Sequence, residues 1–91
     1  GRILIVTQNK PLWNACMASD YTELEILIKN GADINVKNND GITPLMYVAL
    51  NGQSEMVKLL LDFGADRDIL NNDGYKVIDL VTNSELIQLL K

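Results

Sequence analysis

The chain has 91 residues, 47% of them hydrophobic and 22% charged, with 8 basic against 12 acidic side chains and a net charge of −4. That length suits one small domain, and its hydrophobic content excludes wholesale disorder. The acidic balance, with Lys and Arg scattered singly, excludes a nucleic-acid partner, and no apolar run approaches the roughly 18 residues of a membrane span.

The chain begins Gly1-Arg2 rather than Met, so it is expected to be cut from something longer, and it shows no signal peptide. Residues 1–6 read as an N-terminal extension; Ile3-Leu4-Ile5-Val6 either covers an open end or is the remnant of a preceding unit. Residues 7–39 form a first unit, in which Pro11-Leu12 and Ala15 belong to one helix and Leu24 to Ile28 to a second. Glu25 and Lys29 sit at i,i+4, the spacing of a charge pair on a solvated helix face. Gly31-Ala32-Asp33 and Asn38-Asn39-Asp40-Gly41 then supply turn chemistry.

The second unit, residues 40–72, repeats this plan. Pro44-Leu45, Gly64-Ala65-Asp66 and Asn71-Asn72-Asp73-Gly74 each follow an earlier counterpart at one constant offset with no gap, which marks an internal repeat. Thr43-Pro44 predicts a helix start, with a hydroxyl N-cap and proline where a missing N–H costs nothing. The stretch from Leu45 to Leu50 is apolar nearly throughout, so that helix is expected to pack on several sides, and Gly52 is placed to close it. Ser54 is the expected N-cap of a helix over 55–63, with Met56, Val57 and Leu59 to Leu61 inward and Lys58 spaced to pair with Glu55 and Asp62. Residues 65–73 read as an extended turn or hairpin closed by Gly74.

The third unit, residues 73–91, keeps Gly74 but carries Lys76-Val77-Ile78-Asp79 in place of the Thr-Pro-Leu run. A deletion of about three residues is needed to align Glu85 to Leu90 with Glu55 to Leu60. Atypical end units are what capping of a repeat array requires.

The run Asp40-Gly41-Ile42-Thr43-Pro44-Leu45, followed by Gly52, Glu55, Val57, Leu59 to Leu61 and Gly64-Ala65-Asp66, resembles the ankyrin repeat, whose period is 33. The resemblance implies an all-α solenoid of stacked helix-turn-helix units joined by hairpin-like turns. It also implies protein recognition, through a concave groove lined by the hairpin tips and the first helices. The groove positions carried over are Met17, Lys37, Asn39, Asp40, Ile42, Leu50, Asn51, Leu70, Asn72, Asp73 and Tyr75, with Asn9, Ala18 and Asn83 at equivalent places. Five are apolar where nothing in the fold demands it (Met17, Ile42, Leu50, Leu70 and Tyr75), and Tyr75 is the strongest anchor. One departure stands out: the family's signature histidine is Met46 here and Trp13 in the first unit, so the tie it makes between neighbouring turns must be made otherwise or be missing. Trp13 is expected to pack between units.

Catalytic residues, cofactor sites and metal ligands are expected to be absent. There is no histidine, which removes the usual general base and zinc ligand. The single cysteine, Cys16, aligns with Ala49 and reads as a small buried hydrophobe rather than a nucleophile. Asp66, Asp68 and Asp73 invite a calcium loop, but Leu70 and Asn71 fall where a ligand and a glycine are required. No glycines stand in a phosphate-cradling frame. The expected partner is therefore a protein of unknown identity, bound by a monomer, and the lone cysteine favours the cytoplasm. Two other readings remain: a targeting or regulatory segment of a larger enzyme or effector, and a structural spacer in a longer array.

Overall fold

A computed structural model describes residues 12–91; the sequence's Ile3 to Val6 extension and Asn9 lie outside them. Helix α1 covers residues 12–18, α2 Tyr21–Lys29, α3 Pro44–Leu50 and α4 Ser54–Asp62; a 3-10 turn, Val77–Leu80, precedes α5, Ser84–Leu90. No strand occurs among the described residues.

Burial recurs with the sequence period. Leu12 and Leu45, Ala15 and Val48, Cys16 and Ala49, and Leu24 and Val57 are each one repeat apart and no more than 3% exposed, so each unit presents the same apolar face to its neighbour. Each large apolar side chain so buried contributes about 1.5–3 kcal/mol. In the last unit the offset changes to 30: Leu86 and Leu90 occupy the places of Met56 and Leu60, and all four are buried. The missing three residues come out of the first helix, where a four-residue 3-10 turn replaces the seven residues of α3. β-Branched Val77 and Ile78 disfavour a helix there, and the Asp79 carboxylate turns back to accept the Lys76 N–H at 3.1 Å.

The helix ends are closed by local chemistry. Thr43 caps α3, its Oγ1 accepting the Met46 N–H at 3.3 Å, as the Thr-Pro pair predicts. Asp20 and Asn83 do the same for α2 and α5 through the amides of Glu23 and Glu85. Helix α4 begins and ends one residue earlier than predicted, with Gln53 rather than Ser54 as N-cap and no side-chain bond. The Gln53 N–H donates to the Val48 carbonyl in closing α3, and its side-chain Oε1 accepts from the Ser19 hydroxyl instead of capping α4. Lys58 pairs with Glu55 at 3.4 Å and forms no pair with Asp62, while Glu25–Lys29 forms at 2.8 Å.

α1 closes in the manner of α3, but Ser19 (φ +54) stands where α3 has Gly52 (φ +71). A non-glycine residue in that region costs about 1–2 kcal/mol. The Ser19 hydroxyl partly offsets this by donating to Gln53 Oε1 of the next unit at 2.9 Å.

Candidate binding surface

Two projecting turns, the fingers, are built by equivalent asparagines of successive repeats. Asn38 Oδ1 accepts the N–H groups of Asp40 at 2.9 Å and Ile42 at 3.0 Å; Asn71 Oδ1 accepts those of Asp73 at 2.9 Å and Tyr75 at 3.0 Å. The Asn38 N–H donates to the Ile42 carbonyl, and that of Asn71 to the Tyr75 carbonyl, so each asparagine pins its finger through both side chain and backbone. Side-chain bonds of this kind let Asn organise a turn without a strand ladder.

Adjacent units are tied by amides. Asn72 Nδ2 donates to the Asn39 carbonyl at 2.8 Å, and the Asn72 backbone N–H donates to the Asp40 carbonyl at 3.2 Å. Lower on the stack, Asn35 Oδ1 accepts the Asp66 N–H at 2.9 Å. Trp13, half-buried, meets Tyr47 of the next unit edge to face at 5.9 Å and 84°, the inter-unit packing expected of it.

The fingers and the ends of α1 and α3 frame the surface expected to be a groove. Met17 is 61% exposed, Leu50 52%, Tyr75 52% and Leu70 48%; Lys37, Asn39, Asp40, Asn51, Asn72 and Asp73 are exposed as well, as are Ala18 and Asn83. Ile42 differs. It is half-buried and packed against the core, so it is a shoulder of the surface and not a free apolar side chain. Asn51 and Asn72 are exposed, yet their amides are engaged, that of Asn51 with the Tyr47 carbonyl at 3.0 Å. Tyr21 and Ile26 on α2 are 45% and 47% exposed and fall outside the expected surface; no pattern in α2 distinguishes them from its inward apolar residues. Beside Leu50, a cleft of about 140 Å³ lined by Ala49, Gly52, Leu80, Val81 and Leu86 occupies the space left by the shortened third unit.

Cys16 is fully buried, and burial pushes its thiol up to about 11, far from the low value a nucleophilic thiolate needs. Among the described residues no group of His, Cys, Asp and Glu is assembled to hold a metal ion, and no helix is long and apolar enough to cross a membrane.

A family model described as ankyrin repeats (3 copies) matches residues 10–91. The chain belongs to the ankyrin repeat family. Ankyrin repeats are generally protein–protein interaction modules and are typically non-catalytic. A search of curated proteins gives no match. In this ankyrin chain Asn72 and Asn35 are the amides that hold neighbouring units, at the fingers and below them.

Proposed function

We propose that this chain is a protein-binding module that holds its partner in the concave groove between the finger tips and the first helices, with no catalysis of its own. The units run over 7–39, 40–72 and 73–91, the last acting as a shortened cap, and the module works as a monomer in the cytoplasm. One observation carries the reading: Met17, Leu50, Leu70 and Tyr75 stand between 48% and 61% exposed on a frame whose turns are pinned by the side chains of Asn38, Asn71 and Asn72. Exposed apolar side chains that converge on one surface mark an interaction site, and a frame already tied in place loses little freedom on binding.

The test is affinity capture from source lysate, comparing the chain with a Met17→Ser, Leu50→Ser, Tyr75→Ser triple variant. Ile42 is left intact because its substitution would disturb packing. A protein retained by the natural chain and lost by the variant supports the groove; identical retention by both refutes it.

A further inference from the structure

Two asparagines of the chain are followed directly by glycine, Asn30-Gly31 and Asn51-Gly52. In such a pair the glycine nitrogen can attack the asparagine Cγ, forming a C–N bond and expelling Nδ2 as ammonia. The resulting five-membered succinimide takes up water and opens at either carbonyl, to aspartate or to isoaspartate. Glycine leaves its nitrogen unshielded, and at both sites the surroundings are open: a Cβ on Gly31 or Gly52 would meet nothing within 4 Å.

The two pairs close their helices with the same set of backbone bonds. At the end of α2 the N–H of Asn30 donates to the Ile26 carbonyl at 3.0 Å, that of Gly31 to Ile28 at 3.1 Å and that of Ala32 to Leu27 at 3.0 Å. At the end of α3 the N–H of Asn51 donates to Tyr47 at 3.2 Å, that of Gly52 to Ala49 at 3.1 Å and that of Gln53 to Val48 at 2.9 Å. The backbone angles match too, with φ −91 and ψ 11 at Asn30 and φ −88 and ψ 3 at Asn51. With ψ near zero the glycine nitrogen is turned away from the side-chain carbon, and its N–H is engaged. Neither ring closes until the turn opens, so the reaction reports local opening of a helix end rather than global unfolding.

The difference lies in what else holds each asparagine. Asn51 Nδ2 donates to the Tyr47 carbonyl at 3.0 Å. Two residues on, Gln53 is the N-cap of α4 and accepts the Ser19 hydroxyl of the preceding unit at 2.9 Å, so opening there disturbs two helices and an inter-unit bond. Asn30 is exposed, its side chain makes no hydrogen bond among the described residues, and it leads into a turn instead of a helix. Asp40 and Asp73 also precede glycines, but a carboxylate is a far poorer electrophile than a carboxamide.

We infer that Asn30 is a site of spontaneous deamidation in the folded protein, and that Asn51, in the same sequence pair and backbone setting, is protected by its side-chain bond. The product places a new negative charge at the C-terminal end of α2, where the helix dipole disfavours it. In the isoaspartate branch the main chain also gains a methylene just before Gly31, which displaces the bonds that Gly31 and Ala32 make to α2.

The experiment incubates the purified chain at mildly alkaline pH, in buffer and in urea, and follows both sites by mass-spectrometric peptide mapping. Isoaspartate is counted by enzymatic methyl transfer. In urea the two sites should convert at equal rates, because each is Asn-Gly and neither turn survives. In buffer both should slow, with Asn30 converting about fivefold faster than Asn51, the factor expected of one additional hydrogen bond. Equal rates in buffer, or faster conversion at Asn51, would overturn the protective role of the Asn51 amide. Conversion at neither site in buffer while both convert in urea would overturn Asn30 as a site of modification in the folded protein.

Discussion

Gly41 and Gly74 are equivalent residues in the two fingers, with φ of +78 and +84, yet their surroundings differ. A Cβ on Gly41 would lie 2.5 Å from Asn72 Oδ1 and 2.7 Å from the Asn72 backbone nitrogen, whereas one on Gly74 would meet nothing within 4 Å. Alanine at either site forces a left-handed residue, costing about 1–2 kcal/mol, offset by about 0.4–1 kcal/mol from the stiffer unfolded chain. These two effects are common to both variants and cancel in the comparison. What remains is specific to Gly41. The Asn72 backbone cannot swing away, so the fingers must part, and the bonds from Asn72 Nδ2 to the Asn39 carbonyl at 2.8 Å and from its N–H to the Asp40 carbonyl at 3.2 Å are lost. At about 0.5–1.5 kcal/mol each, Gly41→Ala should cost about 1–3 kcal/mol more than Gly74→Ala. Thermal and urea unfolding of the two variants measure this directly. In a domain of this size a difference of about 2 kcal/mol separates the melting temperatures by roughly 8–16 °C. Equal losses would show that the asparagine tie contributes nothing to stacking.

Thr43→Val keeps the shape of a residue that is 1% exposed but strands the Met46 N–H; a loss of about 1–2 kcal/mol in urea unfolding is expected. Arg67→Ala removes the guanidinium that donates to the Leu90 carbonyl at 3.4 Å and the Lys91 carbonyl at 2.9 Å. Amide exchange should accelerate in α5 ahead of α3 and α4, at a cost of about 1 kcal/mol. Leu50→Ser should change stability by less than about 0.5 kcal/mol, whereas Ile42→Ser, at a half-buried position packed on the core, should cost about 1–2 kcal/mol; similar values for both would contradict the two environments. The Cys16 thiol, pushed up to about 11 by burial, ionises less readily folded than unfolded. Between the unfolded value and about 11 the native state therefore holds the extra proton, and its stability should fall as pH rises through that window, by about 2–3 kcal/mol in all. Comparison with Cys16→Ala, which lacks this dependence, isolates the effect.

The features legible in the sequence were those set by residues close along the chain. The periodic recurrence locates the fold, Thr43-Pro44 locates a helix start, and the asparagine-rich runs locate the fingers, because capping and turn formation depend on neighbours a few positions away. The deletion in the third unit was legible too, but the 3-10 turn it produces depends on Asp79 reaching back to Lys76. Features set by the adjacent unit were not legible. Asn39 and Asn72 look alike as turn residues, yet the side chain of Asn72 crosses to the previous finger. Ile42 and Tyr75 are equivalent in the repeat, but Ile42 is half-buried and packed on the core while Tyr75 is half exposed. Ser19 carries no mark of its left-handed backbone, because the bond that helps to hold it there comes from Gln53 in the next unit.

The same asymmetry bears on how the surface works. An amide tie has no titrating proton, and the chain has no histidine, so no side chain whose ordinary titration falls between about pH 5 and 8 stands in the stack. The frame that carries Met17, Leu50 and Tyr75 is therefore held by bonds indifferent to pH in that range. Changes in binding across that range are therefore expected to originate in the partner. The tie between the two fingers is made by Asn72 alone, so disrupting Gly41 or Asn72 should displace Tyr75 with its finger while leaving Met17 and Leu50 on helices packed through the core. A partner that requires Tyr75 together with Met17 and Leu50 would then lose its site to Gly41→Ala, a change at a buried position.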